Sequence, residues 1–210
     1  DTAYILADSE SRVVFAEDDE QIAKLTEKKS ELPAVIKVVT FDGTTDGDWI
    51  ISLDELRELG KAYLETHPTI VEDRIAATTS DSLATLIYTS GTTGRPKGVR
   101  LTHDSWTYEG ASVAALGILG PDDLEFRWLP MAHAFAKVLM STQLAVGYSA
   151  AIDGRVPKIV ENLAIVKPTF MGAAPRIFEK AYGRIVSMME EDGGVKLKLF
   201  NWAQAVGLKV

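Results

Sequence analysis

Short β-branched runs alternate with helix-period runs along most of this chain, and that alternation limits the fold more than any other feature. RVVFAE (12–17), VIKVVTF (35–41), LATLIYT (83–89) and VRLTH (99–103) read as strands, with FRWLP, GYSAAI and PTFMGA as three further candidates. Asp18 and Asp19 open an amphipathic helix through Ile22, Leu25 and Lys29. Ser52 followed by Glu55 is a capping box for a helix through Leu53, Leu56, Leu59 and Leu64. Further helices are expected at 104–119, 135–146, 157–166, 175–191 and 195–210. FDGTTDGD reads as a loop, and ETHPTIVEDRIAATTSD as a long crossing loop. The pattern predicts an α/β fold, a mostly parallel sheet flanked by helices, with LATLIYT apolar enough to be buried.

One segment carries more polar donors than a turn requires. YTSGTTGRPKGV (88–99) packs four Ser/Thr hydroxyls, three glycines and a lysine into twelve positions. It is not a Walker A loop, because Lys97 is followed by Gly98 and the glycines fall at 91, 94 and 98. It is not GxGxxG either. A strand precedes it and an extended VRL follows, so it joins two strands. Glycines let backbone N–H groups approach oxygen closely. Thr89, Ser90, Thr92 and Thr93 supply hydroxyl donors, and Lys97 a mobile positive charge. That chemistry grips phosphate; the plainer reading is a polar hairpin rich in Gly and Thr.

Composition excludes several roles. The 210 residues are 46% hydrophobic and carry a net charge of −8, which leaves no electrostatic footprint for nucleic acid. Without cysteine there is no disulfide, thiol nucleophile or Cys-based zinc site. The N-terminal DTAYILADSES has no secretory pattern, and VLMSTQLAVGYSAAI (138–152) is interrupted by Ser141, Thr142 and Gln143, so no membrane span is expected. The charge runs EDDE and EED read as solvated helix ends. The three histidines are read separately. His67 precedes Pro68 in a polar loop and is given no role, and His103 starts a helix and is read as structural. His133, in LPMAHAF, is either a core histidine or a functional one. It follows a strand, where open α/β sheets present ligand crevices, and Met131, Ala132 and Phe135 beside it suit an apolar chain. Trp128 is a core or tunnel-lining residue; Arg176 faces a pocket or caps a helix.

YTSGTTGRPKGV followed by LTH resembles the phosphate-loop signature of the adenylate-forming superfamily of acyl-CoA synthetases, luciferases and peptide-synthetase adenylation domains. LPMAHAFAK (129–137), VGYSAAI (146–152) and KPTFMGAAPRIFEKAYGRI (167–185) resemble segments of long-chain acyl-CoA synthetases, in the same order. AYILADSESRVVFAE matches more weakly, and Ala136-Lys137 stands where many relatives have Glu-Arg. The resemblance implies part of a large N-terminal domain. Residues 1–80 would form a partial α/β subdomain with a connecting loop, and 81–210 the phosphate-loop and acyl-pocket subdomain of one incomplete domain.

It also implies activation of a long-chain fatty acid by ATP through an acyl-adenylate, with Mg2+ and coenzyme A. The phosphate contacts fall to Thr89, Ser90, Gly91, Thr92, Thr93, Gly94 and Lys97. Thr92 is the hydroxyl nearest the metal, and His133 lies on the carboxylate side of the acyl tunnel. A fatty acyl-AMP ligase, or a nucleotide-binding piece without turnover, are the alternatives. An adenine segment, a GYGxTE motif, the ribose aspartate and the C-terminal lysine are not found. The resemblance therefore implies a central piece of a longer enzyme, not expected to make acyl-CoA alone. The expected location is the cytoplasm, with peripheral membrane contact left open.

Overall fold

In the computed structural model, residues 1–90 and 94–208 are described. They form two compact units: 1–118 with 132–145, and 119–131 with 146–210. The division differs from the expected boundary at 80/81, since 81–118 groups with the N-terminal segment.

The first unit opens with α1 (Thr2–Asp8), β1 (Val13–Ala16) and α2 (Asp19–Glu27). The Asp18 carboxylate accepts from the Gln21 N–H at 3.0 Å and caps α2, which buries Ile22 and Leu25. β2 (Lys37–Thr40) and β3 (Ile50–Ser52) complete a parallel three-stranded sheet in the order β1-β2-β3. Val38, Leu32, Val35 and Trp49 fill its core, and the Trp49 indole donates to the Val35 carbonyl at 3.0 Å. The capping box is present in both directions: the Glu55 N–H donates to Ser52 Oγ, and the Ser52 N–H to the Glu55 carboxylate. That second bond, with the Ser52 hydroxyl, holds the Glu55 carboxyl below its ordinary range. It starts α3 (Leu53–Thr66).

One expectation fails in this stretch, and one strand, β3, was not among those expected. The segment after Thr66 is not a loop throughout but holds α4 (Ile70–Ala77). Pro68 breaks the preceding helix, then Thr69 Oγ1 donates to Asp73 at 2.9 Å over a new first turn. β3 has three residues, too few for its alternation to separate it from the helix start beside it.

β4 (Leu83–Thr89) and β5 (Lys97–Thr102) form an antiparallel hairpin that pairs Thr89 with Lys97 and Tyr88 with Gly98. β4 is a strand as expected, but of its residues only Ile87 is buried. A two-stranded sheet has two edges and no third strand to cover it. α5 (His103–Ala115) follows, with Thr102 as its cap, and α6 (Ala134–Val146) closes the unit.

In the second unit, β6 (Leu124–Arg127) pairs in parallel with β7 (Ser149–Ile152). α7 (Ile159–Val166), α8 (Pro175–Asp192) and α9 (Gly194–Gly207) follow. PTFMGA does not form a strand. Phe170 makes a single bridge to Glu125, while the Thr169 hydroxyl holds Asp123 at 2.7 Å. Phe126, Trp128 and Ile159 form the core here, and the Trp128 indole donates to the Gly172 carbonyl, so Trp128 is a core residue. Beside it Glu125 is buried, its carboxylate accepting from Arg127 Nε at 3.1 Å and from its Nη2. Burial and that carboxylate push the neighbouring Tyr148 hydroxyl up to about 12. Among the described residues no helix is long and apolar enough to cross a membrane.

Candidate functional site

The hairpin brings together the described part of the expected phosphate grip. Thr89 and Lys97 are cross-strand partners at its mouth, so hydroxyl and ammonium rise from one face of the ladder. Both are exposed, as is Ser90. No acidic side chain among the described residues pairs with Lys97, which leaves its charge available to an anion. Gly94 has φ of +145°, a backbone shape that L side chains rarely adopt. Gly91, Thr92 and Thr93 lie outside the described residues. Among the described residues no three His, Asp or Glu side chains converge as metal ligands.

Gly98 has a different use. A Cβ there would meet the Tyr88 ring at 2.9 Å, so the glycine admits that ring across the ladder. The Tyr88 hydroxyl donates to Asp8 at the end of α1 at 2.6 Å, which pushes its pKa up to about 12. Next to Gly94, the Arg95 guanidinium stands over the Tyr4 ring, also on α1, at 5.3 Å.

The opposite face of β4 borders a cleft of about 540 Å³ between α5 and α6. Ala84, Thr85, Trp106, Ala111, Met140 and Leu144 make most of its wall, with His103 and Lys137 as its basic members. The Trp106 indole donates to Thr85 Oγ1 at 3.1 Å and fixes the ring against the strand. Thr85, Ile87 and Thr89 alternate onto one face of β4, which places the cleft about 13 Å along the strand from the hairpin mouth. This cleft was not legible in the sequence: His103 reads as structural, and nothing singles out Trp106 within the helix expected at 104–119. Only the pairing of two helices separated by 18 residues brings the wall together.

α5 and α6 meet closely at Gly110, where a Cβ would lie 2.7 Å from the Ser141 carbonyl oxygen. Gly110→Ala should therefore push the helices apart and cost about 1–3 kcal/mol. Urea unfolding checks this, and an unchanged midpoint would mean that the contact relaxes freely.

His133 is exposed in the turn before α6, which sets aside the core reading. It does not line the cleft, although Lys137, one helical turn on, does. Arg176 is exposed in the first turn of α8 and makes no cap there.

A family model described as AMP-binding enzyme matches residues 1–204. Long-chain-fatty-acid–CoA ligase FadD15 of Mycobacterium tuberculosis is 35% identical over 185 residues, covering 85% of this chain and 29% of that protein. Long-chain-fatty-acid–CoA ligase ACSBG2 of Rattus norvegicus is 30% identical over 222 residues, covering 99% and 32%. The chain thus spans about a third of the length of these relatives. Among solved structures, the anthranilate CoA ligase AuaEII in complex with anthranoyl-AMP aligns with a TM-score of 0.63 at 21% identity, over 83% of this chain and 33% of that one. The N-terminal domain of FACL13 from Mycobacterium tuberculosis aligns with a TM-score of 0.57 at 23% identity, over 85% and 41%. These likenesses bear out the α/β fold, two parallel sheets and one antiparallel hairpin flanked by helices. With its glycine- and threonine-rich hairpin and a family match that runs through nearly all of it, the chain belongs to the AMP-binding enzyme family.

Proposed function

We propose that this chain carries the phosphate grip and the acyl cleft of an ATP-dependent long-chain fatty acid–CoA ligase. The observation that carries the reading is the common face of β4: an exposed hydroxyl and ammonium at one end, an apolar cleft at the other. A fatty acid has the same layout, an anionic reacting head and a long apolar tail. The similarity to two long-chain-fatty-acid–CoA ligases supports the choice of substrate.

In the first step a carboxylate oxygen attacks the α-phosphorus of ATP. The bond to the bridging oxygen breaks, and pyrophosphate leaves with the electron pair. Charge grows on the departing β- and γ-phosphates, and Lys97 with the Thr89 and Ser90 hydroxyls is suited to meet it. In the second step the thiol sulfur of coenzyme A attacks the acyl carbon and AMP departs. Thr92 would be the protein hydroxyl offered to a magnesium ion, which would supply charge neutralisation at the phosphates. Positioning and charge stabilisation account for most of such a barrier.

The reading is tested by ATP–pyrophosphate exchange in the intact protein. Exchange should require a long-chain fatty acid, and thioester should form only with coenzyme A. Exchange driven as well by amino acids or aryl acids would overturn the substrate assignment. Acyl-adenylate that persists with coenzyme A present would favour a fatty acyl-AMP ligase.

His133 belongs to the acyl side in this proposal. His133→Ala should raise the KM for fatty acid about tenfold or more, the worth of a hydrogen bond to a charged group, and leave that for ATP within twofold. The reverse pattern would move His133 to the nucleotide.

A further inference from the structure

The hairpin that carries Thr89 and Lys97 is a two-stranded sheet, and an isolated pair of strands is marginal in water. Catalytic electrostatics need donors held within a fraction of an ångström. Something must hold the mouth in place, and α5 and α6 occupy only one face. On the other face the chain's first helix touches the loop at both ends. Asp8 accepts from the Tyr88 hydroxyl, one residue before Thr89, and Tyr4 lies under Arg95, two residues before Lys97. Tyr4 and Asp8 are four apart on α1, so both project from one side of it. The Tyr88 ring reaches α1 across Gly98, the one residue type that leaves it room.

We propose that α1 is a brace for the phosphate hairpin, with Asp8 and Tyr88 as positioning residues for the nucleotide's phosphates and Tyr4–Arg95 as a second tie. The proposal rests on the reading that this hairpin holds phosphate. Neither Asp8 nor Tyr88 touches the nucleotide in it. They act through Thr89, Ser90 and Lys97 by limiting the spread of the two strands. The glycine at 98 is then part of the brace, not a phosphate contact, since a side chain there would expel the Tyr88 ring.

The test uses steady-state ATP–pyrophosphate exchange in the intact protein, with thermal unfolding measured alongside. Tyr88→Phe keeps the ring over Gly98 and loses the hydroxyl; Asp8→Ala loses the acceptor. Each should raise the KM for ATP about three- to tenfold, leave that for fatty acid within twofold, and leave Tm within about 2 °C. Asp8→Asn keeps an acceptor oxygen and should restore most of the loss. The double variant Asp8→Ala/Tyr88→Phe should be no worse than the worse single one, because the two residues act through one bond. Equal rises in both KM values with a lower Tm, additive effects, or unchanged kinetics would overturn the brace. Lys97→Ala separates the two readings. If it raises the KM for ATP or slows exchange while Tyr88→Phe does nothing, the brace fails and the phosphate grip stands. If Lys97→Ala is also silent, the grip fails and the brace falls with it.

Discussion

Lys97→Ala should slow ATP–pyrophosphate exchange by roughly 30- to 1,000-fold, a loss of about 2–4 kcal/mol of transition-state stabilisation. The size follows from the place of the charge. Lys97 is the cross-strand partner of Thr89 and stands at the exposed mouth, whereas Arg100 lies three residues further along the ladder, opposite Leu86. Negative charge develops on leaving pyrophosphate, so the ammonium is worth more in the transition state than in the ground state. The rate should therefore fall more than ATP affinity, and the KM for fatty acid should stay within twofold. Lys97→Arg keeps the charge but spreads it over a fork, and should fall in between. Unchanged exchange in Lys97→Ala would remove this residue from the phosphate grip.

The second large effect concerns stability and lies in the other unit. Arg127→Met should destabilise the protein by about 3–5 kcal/mol, because it leaves the Glu125 carboxylate buried without the guanidinium that faces it. Glu125 is 0% exposed and Arg127 5%, so water cannot replace the lost partner. The informative comparison is the double variant Glu125→Leu/Arg127→Met. Removing both charges should recover more than half of the loss, since a buried pair contributes little net beyond an apolar replacement. Urea unfolding of the three proteins measures this. A double variant as unstable as Arg127→Met would show that packing by the long arginine stem, not the uncompensated carboxylate charge, is what matters.

Much of the fold was legible because local signals agreed with one another. Asp18 and the Ser52–Glu55 box mark helix starts by hydrogen bonds made within four residues, and these bonds form as expected. The hairpin was legible because Gly and Pro separate two β-branched runs. What failed depended on partners far away in sequence. LATLIYT has the composition of a buried strand, but its burial depends on how many strands join it. PTFMGA has strand composition, and its Thr169 and Phe170 do bond to the β6 backbone, but the pairing stops at one bridge, with the Thr169 hydroxyl tied to Asp123 and the Leu124 N–H. The polar look of 65–81 concealed α4, since Ile70, Val71 and Ile75 lie in a helix that buries none of them. For the site, the motif names the candidate phosphate donors directly, since all of them lie within twelve consecutive positions. The cleft wall and the Asp8–Tyr88 bond were silent, because no pattern within 88–99 points to residues 8, 106 or 140.

The common face of β4 also makes the strand a ruler. Its marks are two residues apart, each about 6.6 Å, because only every second side chain reaches that face. The span between reacting head and cleft can thus change only in whole marks. A one-residue insertion between Thr85 and Thr89 would turn either the cleft wall or the mouth hydroxyl to the α1 side. A two-residue insertion would keep both on their face and lengthen the gauge. Chain-length preference in such a protein would then shift in steps, by paired insertions or deletions in this strand, as well as gradually through the size of the cleft's side chains.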